Sequence, residues 1–137
     1  MNEIITFHLS WPPTVNHWHN PMKMGNHVRI IKGKKAREYE KLACQEMLVL
    51  GLDNKMIKED LEVWLELHPP TRRKTDIDNR TKGIFDSLSA ARFWEDDCQV
   101  KKLHIEMKDV IKGGKVVVKV AKLDGAPRVQ SASEGKS

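Results

Sequence analysis

Alternation of apolar and polar residues predicts strands in both halves of the chain. Residues 4–9 place Ile5, Phe7 and Leu9 on one side, which is typical of a half-buried strand. The clearest alternation runs over residues 61–67 and ends at the sequence HPPT, because proline cannot donate to a strand ladder. Two more strands are predicted over residues 101–107 and 115–120, with these side chains inward: Leu103, Ile105, Met107, Val116, Val118 and Val120.

The segments between these strands carry turn and loop signals. Lys112, Gly113 and Gly114 predict a hairpin turn that joins the last two strands. Residues 11–25 are rich in histidine, asparagine and proline, which predicts a loop. A short extended piece is expected to follow over residues 27–32.

Apolar residues spaced three and four apart predict two amphipathic helices. The first spans about residues 34–50, with Gly51 as its C-terminal stop. The second spans about residues 79–91, with Asp78 placed to act as its N-cap. The apolar stripes are Ala36, Tyr39, Leu42, Ala43, Met47 and Leu50 in the first helix and Ile84, Phe85, Leu88 and Ala91 in the second.

The order of these elements indicates an α+β fold in which two main helices pack on a small mixed β-sheet. A length of 137 residues suggests a single domain, which we assign to residues 1–123. Residues 124–137 have almost nothing to bury and are predicted to be disordered. The first residues resemble neither a signal peptide nor a membrane span, so we expect a cytoplasmic protein without a membrane partner. Cys44 and Cys98 lack metal-type spacing, so reduced thiols are expected.

Basic residues are concentrated in two clusters. The net charge of +5 alone points only weakly to a polyanionic partner. The first cluster, residues 23–37, holds six basic residues and no acid, and its Lys34 and Lys35 are candidate DNA contacts. A solvated surface is the other interpretation of either cluster. The second cluster contains Arg72, Arg73, Lys74, Arg80 and Lys82 and surrounds a pair of aspartates.

That pair, Asp76 and Asp78, forms a D-x-D motif directly after a basic run. Two carboxylates this close repel each other unless a metal ion, neighbouring basic side chains or water separates them. In an extended segment, residues two apart project to the same side, so both carboxylates could face one point. Three successive acids follow at residues 95–97, and tertiary folding could return one of them to that point. Three converging carboxylates suit Mg²⁺ or Mn²⁺, and Lys82 could then stabilise a phosphate oxygen or a leaving group.

Simpler roles for the same residues stay open. Asp78 as a helix N-cap would need no metal ion. Asp78, Lys82 and Asp86 at four-residue spacing could form ordinary surface ion pairs. A D-x-D motif alone therefore does not establish a metal site.

Histidine and tryptophan residues are weaker candidates. Three histidines near the first cluster lack the cysteine pair or the histidine spacing that completes a zinc site. Tryptophans could stack on bases but are more often core residues, and Trp94 is expected to pack under the acidic run. Phosphate-loop and dinucleotide motifs are missing from the sequence, so no nucleotide cofactor is expected. The residues in question are His17, His19 and His27 for zinc and Trp11, Trp18 and Trp64 for stacking.

Three stretches together resemble the RusA family of Holliday-junction resolvases: WPPTVN near the start, DIDNRTKGIFDSL in the middle and FWEDDCQV after it. They follow one another in the family's order over roughly residues 5–120. The resemblance implies a homodimeric endodeoxyribonuclease that depends on Mg²⁺, for which Mn²⁺ can substitute. It also implies that four-way junction DNA is resolved by paired, symmetric nicks during recombination and repair, by a cytoplasmic protein associated with the nucleoid when bound to DNA.

The resemblance also assigns roles to single residues. It implies that Asp76, Asp78 and Asp97 are essential acids that hold the metal, and that Lys82 takes part in catalysis. Two alternatives are a non-catalytic DNA-binding or architectural module with structural aspartates, and a metal-dependent nuclease of another branched-DNA specificity. Together with the basic clusters, the predicted DNA contacts are Arg72, Arg73, Lys74, Arg80, Lys34 and Lys35.

Overall fold

The computed structural model describes residues 3–13, 19–24 and 27–123, and for residues 19–24, 27–32, 78 and 79 it describes the backbone alone. The predicted disorder of residues 124–137 lies outside this part. The strands are β1 (Ile4–Leu9), β2 (His19–Met24), β3 (His27–Lys32), β4 (Leu61–His68), β5 (Val100–Met107) and β6 (Lys115–Lys122). The helices are α1 (Lys34–Leu50) and α2 (Asp78–Ala90), and a 3₁₀ turn, Asp97–Gln99, precedes β5.

A four-stranded mixed sheet in the order β1-β6-β4-β5 forms the centre of the fold. β6 runs antiparallel to both β1 and β4, whereas β5 runs parallel to β4. Parallel neighbours need a crossover connection, and α2 is that connection between β4 and β5. The predicted α+β fold with two helices on a small mixed sheet is therefore confirmed.

The predicted hairpin between the last two strands is wrong. Residues 112–114 do form a turn, and Gly113 and Gly114 have φ angles of 84° and 78°. The strands on either side of this turn are not neighbours, because β4 lies between them. The crossover through α2 places β5 on the outer edge of β4, so β6 pairs with the other edge.

The predicted loop over residues 11–25 is also wrong in part. β2 lies within it and pairs antiparallel with β3, which confirms the extended piece predicted over residues 27–32. Pro21 stands opposite Ile30 in this pairing. A two-stranded ribbon consists of two edge strands, where a proline can face away from the ladder.

The core lies between one face of the four-stranded sheet and the two helices, which pack against each other. β4 alternates as predicted, with its odd-numbered residues buried and its even-numbered residues half-buried. Three predicted core residues are exposed: Leu42, Leu50 and Leu103. The first two lie at the border of the buried α1 stripe, and Leu103 lies on the edge strand β5. The buried apolar residues include Phe7, Leu9, Ala36, Tyr39, Ala43, Met47, Ile84, Leu88, Ala91, Val116, Val118 and Val120.

The helix ends agree with the sequence at α1 and differ at α2. α1 spans the predicted residues, and Gly51 ends it in the left-handed conformation with φ 73°. The N-cap of α2 is Ile77 and not Asp78, so that prediction is wrong. Ile77 already has helical dihedral angles, φ −59° and ψ −46°, and Asp78 is therefore the first residue of the helix.

Two further sequence predictions concern thiols and membranes. Cys44 and Cys98 are both free, as expected. Neither helix described here is both long and apolar enough to cross a membrane.

Candidate active site

The D-x-D motif lies where the loop after β4 enters α2. Asp76 is exposed on this loop, and Asp78 begins the helix. The residue between them, Ile77, is helical, so the extended geometry expected for this segment is not present there. The two aspartates are thus placed by a loop-to-helix junction at the C-terminal end of a central strand.

A second group of charges lies one to two turns further along α2. Lys82 Nζ and Asp86 Oδ2 form an ion pair at 3.3 Å, as their four-residue spacing predicts. Asp97 lies within the electrostatic reach of both groups, since the charge of Asp86 raises its pKa and the charge of Lys82 lowers it. Position 78 precedes Lys82 by one turn on the same helix face. Folding therefore returns Asp97 to the face of α2 that begins with the D-x-D motif.

Burial is the largest influence on the Asp97 carboxyl. Desolvation raises the pKa of Asp97 above its usual 3.8, and the hydrogen bond and charge of Asp96 raise it further. The backbone amide of Cys98 donates to Asp96 Oδ1 at 3.0 Å, which lowers the pKa of Asp96. Of these two adjacent carboxyls, the one with the raised pKa is therefore Asp97.

Gln99 fixes the turn that carries these acids. The Asp96 amide donates to Gln99 Oε1 at 2.7 Å, and the Gln99 backbone amide donates to the Asp96 side chain, and these two bonds form a capping box. The Gln99 side-chain amide donates to the carbonyls of Ile57 and Glu59 at 2.8 and 2.9 Å. Gln99 is buried, so the acidic turn is anchored to the segment before β4. The D-x-x-Q spacing is the signal in the sequence that could have indicated this role.

Trp94, which directly precedes the acidic run, is buried against α2. Its side chain is 1% exposed, and its ring meets Phe85 edge-to-face at 5.3 Å. The indole nitrogen donates to Ser89 Oγ at 2.7 Å. Trp94 therefore holds the acidic turn against α2.

The donor set fits a hard divalent cation. Asp76, Asp78 and Asp97 offer carboxylate oxygens, the ligands that Mg²⁺ and Mn²⁺ prefer. Desolvation is the largest cause of the raised pKa of Asp97, and the negative charges of Asp96 and Asp86 that add to it are ones that a bound cation would offset. Among side chains that the structure describes, no three acidic, histidine or cysteine groups come close enough to hold a metal. The Asp78 carboxylate, one of the predicted ligands, is not among them.

The basic loop presents the cations predicted to contact DNA. Arg72, Arg73 and Lys74 are exposed, and so are Lys34 and Lys35 at the start of α1. A cleft of about 540 Å³ separates part of the loop from the end of β1. Its lining consists of Trp11, Pro69, Pro70, Thr71, Arg73, Lys74, Thr75 and Arg80.

Arg80 differs from the other predicted DNA contacts because it is half-buried. Its guanidinium donates to the Pro12 carbonyl and, at 3.3 Å, to Thr75 Oγ1. It also lies over the Trp11 ring, 5.0 Å from the ring centre. Desolvation lowers the pKa of this guanidinium.

The tryptophan and histidine candidates are only partly within the described side chains. Trp64 stacks on His104 at 5.3 Å, and Trp11 lies under Arg80, so both have internal partners. Trp18, and with it the side chains of His17, His19 and His27, lies outside the part that the structure describes.

Comparison with known proteins bears on this site directly. The family model described as Endodeoxyribonuclease RusA matches residues 11–121. A protein of Escherichia coli (strain K12) named Crossover junction endodeoxyribonuclease RusA is 31% identical over 116 residues, or 84% of this chain and 92% of its own length. A protein of Enterobacteria phage 82 with the same name is 30% identical over 121 residues, or 86% of this chain and 96% of its own length. The match includes the D-x-D loop, α2 and the acidic turn, and the chain belongs to the RusA family of endodeoxyribonucleases.

Proposed function

We propose that this chain is an endodeoxyribonuclease that cuts four-way, or Holliday, DNA junctions. The relatives at 30–31% identity are named for action on crossover junctions. The observation that carries the proposal is the position of Asp97, which folding returns to the α2 face of Lys82 one turn from Asp78. The exposed basic loop beside this face supplies the charge that a DNA backbone requires.

The proposed reaction is metal-dependent hydrolysis of a phosphodiester. Asp76, Asp78 and Asp97 would hold Mg²⁺, with Mn²⁺ as a substitute. When bound, such an ion activates water and stabilises negative charge on the phosphate. The capping box and Trp94 hold the acidic turn in place, so Asp97 does not have to be ordered when substrate arrives.

Lys82 has a role in binding the reacting phosphate. Its side chain is half exposed, and the ion pair with Asp86 restrains its ammonium group on the α2 face that Asp97 approaches. A phosphate oxygen entering this face would gain a charge-assisted contact with Lys82. Asp86, whose spacing in the sequence suggested only a surface ion pair, thereby becomes a residue of the site.

Paired nicks require two active sites. A two-fold dimer supplies two identical sites, and an opened four-way junction has a near two-fold axis of its own. We therefore include a homodimer in the proposal, and its mass in sedimentation or light scattering should be twice that of the 15.8 kDa chain. A monomer that still cuts opposing strands in one binding event would contradict the dimer.

A substrate panel tests the proposed function. The full chain is incubated with a synthetic four-way junction, a fork and a linear duplex of shared sequence, in Mg²⁺, Mn²⁺ or EDTA. We expect metal-dependent cleavage of the four-way junction in preference to the other two. Equal cleavage of forks would indicate a nuclease of another branched-DNA specificity. Tight junction binding without a nick in either metal would indicate a non-catalytic binding module.

A further inference from the structure

Arg80 occupies a position between two proposed active-site residues on α2. It follows Asp78 by two residues and precedes Lys82 by two. Its guanidinium contacts the loop before the helix through Thr75 and the end of β1 through the Pro12 carbonyl. Arg80 therefore connects the D-x-D loop to a segment more than 60 residues earlier in the chain.

Trp11, which lies under the Arg80 guanidinium, is closely packed against other segments of the chain. Gly114 approaches Trp11 so closely that a Cβ atom on it would lie 2.6 Å from Trp11 Cβ and 2.9 Å from Cγ. The same added atom would lie 3.3 Å from Pro70, so the turn before β6, the D-x-D loop and Trp11 meet at one point. These close contacts restrain Trp11, and the Arg80 guanidinium lies over its ring.

The end of β1 is itself anchored to α1. The Tyr39 hydroxyl donates to the Ser10 carbonyl at 2.7 Å. The Ser10 hydroxyl and amide both donate to the Glu46 carboxylate, at 2.6 and 3.1 Å. Residues 10–12 are therefore tied to a long helix, and Arg80 transfers that restraint to the start of α2.

Its internal contacts leave Arg80 poorly placed to bind DNA. Arg72 and Arg73 are exposed, whereas Arg80 is half-buried and already donates to two protein oxygens. Within the described side chains, its Nε is buried and has no hydrogen-bond partner. A phosphate could engage the guanidinium fully only if the contacts with Trp11 and Pro12 were released.

We propose that Arg80 is a positioning residue, which clamps the D-x-D segment to the end of β1 by stacking on Trp11 and donating to Pro12 and Thr75. This inference rests on the proposed function for its catalytic consequence, but the clamp itself is a property of the free protein. It assigns to Arg80 a role different from the DNA contact predicted from the sequence.

Arg80→Lys is the first test, because lysine keeps the charge but loses the planar fork and the stacking. We expect single-turnover junction cleavage to fall about 10- to 100-fold, as for a catalytic group displaced by about 1 Å. The junction Kd should stay within about 2-fold, and the salt dependence of binding should not change. Arg92→Lys is the matched control, an exposed arginine at the other end of α2, and should cleave like the wild type.

Trp11 variants separate a clamp from a phosphate contact. Trp11→Leu should reproduce the cleavage defect of Arg80→Lys although it changes no charge, and it should leave the salt dependence of junction binding unchanged. The double variant should be no slower than the slower single variant, because the two residues act through one contact. Trp11→Tyr keeps an aromatic face and should restore most of the rate that Trp11→Leu removes.

An NMR measurement on the DNA-free protein tests the clamp without any activity. The Arg80 Nε–H signal, assigned in the wild type through its bonded correlations to the Arg80 backbone, should be shifted by the Trp11 ring current and protected from exchange with water. Both features should disappear in Trp11→Leu and remain in Trp11→Tyr. This test still decides the matter if Arg80→Lys does not fold or if the wild type cuts no junction.

Two results would overturn the inference. One is an Arg80→Gln variant, which removes the charge, that binds junctions more weakly, with a salt slope reduced by about 0.9, and cleaves at the wild-type rate when saturated. The other is an Arg80 Nε–H signal that exchanges freely and shows no dependence on Trp11. Failure of wild-type cleavage alone would count against the proposed function and not against the clamp.

Discussion

The Asp97 carboxyl is held in surroundings that disfavour its charged form. It is partly buried, and its pKa is raised by desolvation and by the neighbouring acids Asp96 and Asp86. Lys82 opposes these effects but is shared with Asp86. In the proposed site, this cost to the charged form would be the consequence of keeping a carboxylate oxygen available for a metal ion.

Asp97→Asn is therefore expected to raise the free energy of unfolding near neutral pH in EDTA. Because the pKa of Asp97 is raised above 3.8 in the folded protein, the native state keeps its proton to higher pH than the unfolded chain does. Stability consequently declines as pH rises through the interval between the two pKa values, and asparagine removes that decline. Urea unfolding from pH 4 to 7 should show a gain that shrinks as the pH falls.

Asp53→Asn serves as the control for this measurement, since Asp53 lies in the connection after α1 and not on the acidic turn. Its effect should not follow the Asp97 profile. An Asp97→Asn variant that is less stable than the wild type at pH 7 would show that the ionised carboxylate stabilises the fold. A gain of constant size across the pH range would show that its cause is not ionisation.

Helices and strands with a local hydrophobic pattern could be predicted from the sequence. Which strands pair with each other in the sheet could not. α1, β4 and β6 follow from periodicity because each buries one face against the core. The pairing of β5 with β4 depends on the crossover through α2, which no local pattern of residues 101–120 records. β2 was missed because Pro21 and the surrounding polar residues resemble a loop.

Within the site, too, local motifs could be predicted, whereas contacts between distant residues could not. The D-x-D motif and Lys82 were visible in the sequence, but the return of Asp97 to α2 depends on Gln99 and Trp94. Gln99 contacts carbonyls about 40 residues earlier in the chain, and sequence spacing alone does not indicate such a contact. Arg80 was assigned to DNA because its partners Trp11 and Pro12 lie even further away in the sequence, and no local pattern indicates them.

Gln99→Leu is expected to destabilise the protein by about 1 to 3 kcal/mol, because it removes the hydrogen bonds of a buried side chain to the Ile57 and Glu59 carbonyls and to the Asp96 amide. Gln45→Leu is the matched control, on the exposed side of α1, and should change stability by no more than about 0.5 kcal/mol. Denaturant unfolding of both variants measures the difference. Equal stability of the two would mean that the capping box does not anchor the acidic turn.

In the molecule as a whole, the acidic site lies next to exposed cations, and the two groups have different proposed roles. Asp76 and the exposed Arg72, Arg73 and Lys74 share one loop, so a bound backbone would lie directly beside the carboxylates. In the proposed function, the exposed cations would supply attraction that does not depend on DNA sequence, and the acids would supply the chemistry. Binding and cleavage should therefore be separable by mutation.

Replacing Arg72, Arg73 and Lys74 by alanine should weaken junction binding and reduce its salt dependence. The slope of log K against log salt should fall by about 0.9 for each phosphate that the variant no longer neutralises. Alanine at Lys41, Lys55 and Arg92, three exposed cations away from the D-x-D loop, is the charge-matched control. An unchanged slope in the loop variant, or an equal change in the control, would remove the loop from the DNA interface.

The most direct test of the account is strand-mapped cleavage of a labelled four-way junction by wild type and Asp97→Asn in Mg²⁺, with junction Kd measured in parallel. The wild type should place symmetric nicks in two opposing strands. Asp97→Asn should cut at least about 100-fold more slowly, as expected when a charged group that supports the transition state is removed. Its Kd should stay unchanged or tighten, since one negative charge facing phosphate is removed. Cleavage by Asp97→Asn at the wild-type rate would contradict the assignment of this site.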